Sequence, residues 1–173
     1  MKNFIIIVCV WFAAMSCAPP PPDTSAFDEG IAKFEKNKET ADRTYDLFIS
    51  GDIDAMAAGY TDDAIWVGPK LGQDSLPLSA MVEGWRGWHE GFENFSFDNR
   101  QYYPGVSEGD YLPDGGVRVY GVWNFNQKGT GKPVSVKYYA VAQFNDEGKQ
   151  TAALEWFDQG GAFDQLEQES EEE

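Results

Sequence analysis

Few side chains among these 173 residues can do chemistry on their own. His89 is the only histidine, and its ordinary titration range lies near neutral pH. It stands four residues after Trp85 and three before Phe92, so on a helix it lies beside the ring stripe those residues make. It is either a residue at a pocket rim or a solvated or satisfied side chain. The two cysteines are Cys9 and Cys17. One histidine and no cysteine beyond Cys17 exclude thiolate metal sites and cysteine nucleophiles from the rest of the chain, and argue against zinc or iron. The aspartates lack the spacing of a calcium loop. Neither a glycine-rich phosphate loop nor a serine nucleophile elbow occurs, so the chain is read as needing no metal and no cofactor. What remains is carboxylates and rings: 6 Trp, 8 Tyr and 12 Phe, enough to wall a pocket or to fill a core.

The N-terminus gives an address. Lys2 and the apolar run from Phe4 to Ala14 have the charge and length of a signal peptide, too short to span a bilayer. Ala14-Met15-Ser16-Cys17 resembles a bacterial lipobox, in which the cysteine is acylated and becomes the new terminus. Cys9 would leave with the peptide, so no disulfide with Cys17 is expected. Residues 1–16 are thus predicted to be a lipoprotein signal peptide. Residues 17–25 are predicted to be a lipidated cysteine with a polyproline tether, because Pro19 to Pro22 fix φ and remove donors. Ala18, in the place where aspartate signals inner-membrane retention, favours the outer membrane; without acylation the protein is secreted. The domain is expected over residues 26–163, and residues 164–173 form an acidic, solvated tail. That domain of about 140 residues is long enough to bury a core. A formal net charge of −16 disfavours nucleic acid and anionic lipid surfaces as partners, leaving the Cys17 anchor as the expected membrane contact.

The elements follow from periodicity. Phe27, Ile31, Phe34, Ala41, Tyr45 and Phe48 recur at helical spacing, with a break at Lys38, and predict one long helix from Thr24 or Ser25 to Ser50-Gly51. Asp52 or Asp54 caps a short second helix, and the acidic turn Thr61-Asp62-Asp63 leads into a strand from Ala64 to Val67. A third helix begins near Ser79, with Met81, Trp85, Trp88, Phe92 and Phe95 as its stripe. The period then becomes two. Strands are expected over 96–107, 117–127, 133–144 and 150–158, with turns at Asp114-Gly115-Gly116, Lys128 to Gly131 and Asn145 to Gly148. Three N-terminal helices followed by a meander predict an α+β fold, the helices packed on one face of a curved, mainly antiparallel sheet.

Ser50-Gly51-Asp52-Ile53-Asp54, Tyr60-Thr61-Asp62-Asp63-Ala64 with Pro69, Phe144 to Lys149 and Glu155-Trp156-Phe157-Asp158 stand in an order that resembles the nuclear-transport-factor-2-like superfamily, which includes ketosteroid isomerase and the SnoaL-like polyketide cyclases. The resemblance implies the cone fold. In ketosteroid isomerase a carboxylate base works with a tyrosine and a protonated aspartate. Those positions fall here on Gly68, Thr44 and Ala140, which argues against steroid isomerisation unless Tyr45 has taken over a role. The SnoaL-like pattern instead implies an inward carboxylate at Glu155, while its common histidine two residues earlier is Ala153.

Strand parity, anchored on the inward positions that the resemblance implies at Gly68, Ala140 and Glu155, then sorts the side chains. The interior is expected to hold Trp66, Trp85, Trp123, Tyr138 and Phe157 around Glu155, with Tyr45 and His89 near it, and with Trp88, Phe92 and Phe95 in the core. Such a carboxyl group should titrate high and act as a general acid or base, or else pair with Lys137, Arg118 or a backbone donor as a structural group. The rings either stack on a small apolar or aromatic molecule or fill the cone. Two functions are carried forward: a non-catalytic binding module, and a cofactor-free enzyme using Glu155 for proton transfer. The opposite sheet face carries Tyr120, Val122, Tyr139, Val141, Leu154 and Trp156, too apolar for full exposure, and is expected to bury itself against a second copy as a homodimer or under the C-terminal segment.

Overall fold

The computed structural model of the chain describes residues 23–167; the predicted signal peptide, Cys17, the prolines and residues 168–173 lie outside the described residues. Helix α1 spans Ser25–Ser50. The break in its stripe at Lys38 is filled by its neighbour Asn37, which is buried and donates from its side-chain amide to the Gly115 carbonyl at 2.8 Å. Phe27, expected as the first core residue of the stripe, is 47% exposed. The helix meets the sheet only from Gly30 onward, where a Cβ would fall 1.9 Å from the Pro113 carbonyl oxygen. Gly51, at φ +77°, ends α1 with its own N–H bonded to Phe48 and that of Asp52 bonded to Leu47, so the last carbonyls are satisfied. The Asp52 carboxylate then caps α2 (Ile53–Ala57) through the Ala55 N–H.

Strand β1 (Tyr60–Val67) follows, starting earlier than the sequence pattern implied, then the short β2 (Leu76–Pro77) and α3 (Leu78–Gly91). The meander is β3 (Phe92–Val106), β4 (Pro113–Gln127), β5 (Pro133–Phe144) and β6 (Gln150–Phe157), and α4 (Gln159–Glu167) ends the described chain. The six strands lie in the order β2-β1-β6-β5-β4-β3. Only β1 and β6 pair in parallel, so the expected α+β architecture on a mainly antiparallel sheet is what forms. None of the described helices is long and apolar enough to cross a membrane.

Three local expectations change. Phe92 and Phe95 belong to β3, because the chain leaves α3 at Gly91 and pairs Phe92 with Gln127. A bulge at Asn94, at φ +57°, then turns Phe95 inward, where it coincides with the helical spacing that misled the pattern. The glycines at 114–116 are not the hairpin turn. The chain reverses at Ser107–Leu112, held by the Ser107 N–H on the Leu112 carbonyl at 2.9 Å. Gly115, at φ +83°, lies in a bulge of β4 pressed against α1. Asp164 to Glu167, assigned to the tail, are instead the last turn of α4. That helix is tied to the edge of β5 by Gln165, which accepts from the Ser135 N–H and donates to its carbonyl where β6 no longer pairs.

The bulges at Asn94 and Asn99 curl β3 and β4 into the wall of a cone, and α1 closes it. Arg100 fastens the two together, bonding Asp42 at 2.7 Å and Asp46 at 2.8 Å, while the Tyr102 hydroxyl donates to Asp42 at 2.6 Å. Inside lie Val119, Phe125, Val136, Tyr138, Ala140, Ala142 and Ala153, all buried on the face that parity assigned to the interior.

Candidate functional site

The wide end of the cone holds a pocket of about 100 Å³, partly open to solvent. Each element contributes by its own period. Tyr45 and Phe48 stand one turn apart on α1, Met56 comes from α2, and Trp85 and Trp88 are three residues apart on α3. Phe95 comes from β3, while Trp123 with Phe125, Val136 with Tyr138 and Glu155 with Phe157 are inward pairs on β4, β5 and β6. Trp123 is set by the strand beside it: Phe97 stacks on its indole at 4.5 Å with 9° between the planes. Phe97 can lie there because Gly121 has no side chain; a Cβ on it would fall 2.2 Å from that ring.

Beneath this aromatic chamber is a second space of about 30 Å³, lined by Thr44, Tyr60 and Gln150 as well as Tyr45, Tyr138 and Glu155. It is enough for one water molecule among polar groups. Glu155, Tyr138 and Tyr45 line both spaces and stand between them. Burial pushes the Glu155 carboxyl up, and hydrogen bonding from the Tyr138 hydroxyl and the Trp66 indole N–H opposes part of that rise. Burial together with the Glu155 charge holds the Tyr45 and Tyr138 hydroxyls far above their ordinary range, so both stay protonated as donors. Tyr138 has electrostatic interactions with both Glu155 and Tyr45, and all three line both spaces.

Of the residues expected here, Tyr45, Trp85, Trp123, Tyr138, Glu155 and Phe157 come together. Trp66 does not line the aromatic chamber. Its ring lies over Gly68 and it reaches the site only through the Glu155 carboxylate. His89 is turned away: its Nε2 bonds the Phe48 carbonyl at 2.8 Å, and its ring packs between Phe48 and Phe95. It borders a polar surface cleft with Asp52, Asp54 and Arg86. Trp88 and Phe95, which the sequence pattern placed in the core, line the pocket together with Phe48 and Phe125. The spacing of Tyr45 and Phe48 carried that signal for Phe48; nothing local carried it for Phe95, whose direction is made by the bulge.

The ion-pair reading of Glu155 finds no support among the described residues. Arg118 and Lys137 pair across the sheet with Val141 and Val122, one residue out of phase with the inward set, so they lie on the outer face. The isomerase positions are also chemically silent. The Thr44 hydroxyl donates to the Thr40 carbonyl of its own helix, Ala140 is buried, and Gly68 sits under Trp66. Among the described residues no cluster of three His, Cys, Asp or Glu side chains could hold a metal ion.

No curated protein matches the sequence significantly. Solved structures do match in fold. A candidate isomerase from Bacillus subtilis aligns with a TM-score of 0.64 at 16% identity, covering 77% of this chain and 96% of its own. A candidate SnoaL-like polyketide cyclase from Shewanella putrefaciens aligns at 0.62 and 15%, covering 76% and 85%. PrhC from Penicillium brasilianum aligns at 0.60 and 18%, covering 78% and 88%. At these identities the likeness speaks for the fold alone. The family model of the SnoaL-like domain matches residues 41–153, from the middle of α1 to the inward face of β6, and the chain therefore belongs to the SnoaL-like domain family.

Proposed function

We propose that this is a membrane-tethered ligand-binding domain, holding a small, largely apolar or aromatic molecule in the tryptophan-lined pocket above Glu155 without transforming it. The observation that carries the reading is the pocket itself: twelve lining residues from seven elements converge on one carboxylate, and nine of the twelve are aromatic. Rings on a curved sheet that pack without reaching the centre leave a concave apolar site with few polar groups, the usual form of a small-molecule site. The lipobox-like Ala14 to Cys17 supports the tether, and Ala18, in place of an aspartate, supports an outer-membrane address. Self-association through the outer sheet face is part of the proposal, supported by the ring row Tyr103, Tyr120, Tyr139 and Trp156 across β3 to β6. Native mass spectrometry of the purified protein tests the reading, through a copurifying small molecule and the mass of the assembly. An empty protein that quenches with no small aromatic or apolar probe overturns it.

A second reading has its own observation. Tyr45, Tyr138 and Glu155 line both the aromatic chamber and the polar space behind it, an arrangement suited to passing a proton between the two. That supports a cofactor-free enzyme in which Glu155 is the acid or base. Glu155→Gln separates the two: binding kept with turnover lost favours the enzyme, and binding with no turnover in either form favours the module.

A further inference from the structure

Glu155 is a half-buried carboxylate at the floor of the aromatic pocket, and its interacting partners are uncharged. Tyr138 and Trp66 act on it, and the basic residues of the neighbouring strands, Arg118 and Lys137, face the other way. Taking a carboxylate out of water without a counter-charge is costly, and uncharged donors compensate only in part. The walls around it are rings, whose faces carry negative charge density and attract cations, most strongly when water is excluded. Carboxylate and rings therefore ask for the same thing, a positive charge on a surface that is itself apolar.

A compact, strongly hydrated cation does not fit this lining, which offers one carboxylate and mostly carbon. A methylated ammonium does, since its charge is spread over methyl groups that pack against indole as hydrocarbon would. The size agrees. An apolar cavity of about 150 Å³ accommodates benzene, so the 100 Å³ here takes about four or five heavy atoms, a trimethylammonium head and not a polycyclic molecule. Any remainder of the ligand would leave through the open side. The net charge of −16 adds a field that concentrates cations around the protein.

We infer that the pocket recognises a small methylated ammonium compound, with Glu155 as its counter-charge and Trp85, Trp88 and Trp123 as its walls. This rests on the ligand-binding reading of the same pocket and names the chemistry of the ligand. Calorimetry with choline, tetramethylammonium and dimethylbutanol, the uncharged carbon isostere of choline, tests it on the purified protein. Choline should bind at least about tenfold more tightly than the isostere. Glu155→Gln should remove most of that difference. Trp88→Leu, which leaves the carboxylate in place, should weaken choline severalfold and guards against a Glu155 variant that fails to fold. Equal or tighter binding of dimethylbutanol overturns the cation while leaving an apolar binding pocket intact. If neither probe binds, the inference fails, and an empty protein in native mass spectrometry takes the binding reading with it.

Discussion

The Trp66 indole lies over Gly68, so closely that a Cβ on the glycine would fall 2.2 Å from the ring carbon Cη2. Trp66 lies on β1 and Gly68 is the first residue beyond its end, so the ring lies over the chain as it leaves the strand. The ring occupies the space a longer side chain at position 68 would need, and its N–H serves the Glu155 carboxylate. The absence of a base at position 68 and the support of Glu155 are thus one arrangement.

Gly68→Ala should therefore act at a distance. The methyl group displaces the indole, at an expected cost of about 1–3 kcal/mol from overpacking, and weakens the Trp66 contact with Glu155. Denaturant melts and the near-ultraviolet circular dichroism of the tryptophans check both effects. Unchanged stability and spectrum would show that the ring is free to move.

Glu155→Gln should change the pH profile of stability in a defined direction. The folded carboxyl titrates above its ordinary value of 4.5, so the native state binds the proton more readily than the unfolded chain. Ionising it disfavours folding. Relative to the Gln variant, the wild type should thus lose stability as pH rises from about 4.5 through the folded pKa. At neutral pH the variant should be as stable as the wild type or more stable. Paired urea titrations at pH 4.5 and pH 7 measure the difference; a gap independent of pH would exclude a buried, titrating Glu155.

Arg100→Met should loosen α1 from β3. Asp42 is partly buried, which raises its carboxyl, yet the Tyr102 hydroxyl and Arg100 outweigh this and hold it below its ordinary 3.8. A lowered folded pKa means that this contribution is present above pH 3.8 and disappears as pH falls through the folded value. Because Asp42 and Asp46 are about half exposed, the pairs add no more than about 1 kcal/mol. Thermal melts at pH 7 should show a modest loss, and at pH 2 wild type and variant should differ much less. A loss of equal size at both pH values would assign Arg100 a packing role.

Trp156→Glu tests the outer face. Trp156 is 47% exposed and stacks on Tyr139, which stacks on Tyr120. A charge placed in that row should convert a dimer to a monomer, read by light scattering coupled to size exclusion, with a small effect on the melting of the monomer. A wild-type protein that is monomeric at every concentration would remove the proposed interface.

The order of the elements was legible in the residues because local periodicity makes it. Phe34, Ala41 and Tyr45 repeat as a helix must, Val134 to Phe144 alternate as a strand must, and Gly51, Gly131 and Gly148 stop their elements by their own backbone freedom. The inward face of β4 followed from the same parity, and those of β5 and β6 followed once the resemblance supplied Ala140 and Glu155 as inward positions. Where the reading slipped, the deciding contact was not local. Phe95 points into the cone because of a bulge paired with β4, Gly115 belongs to a strand because Asn37 of α1 grips its carbonyl, and Asp164 is helical because Gln165 completes the edge of β5. His89 stood at the right helical angle for the pocket, but the Phe48 carbonyl at the end of another helix claims its ring. The sequence by itself determined the layers and the alternation of strand faces, since these depend on residue type and period, and its resemblance to a family placed one carboxylate inward among rings. Only the tertiary structure decided that the rings stop short of filling the cone, and that Glu155 meets tyrosine and tryptophan in place of arginine or lysine. Both depend on how separately folded segments come together, which no local period contains.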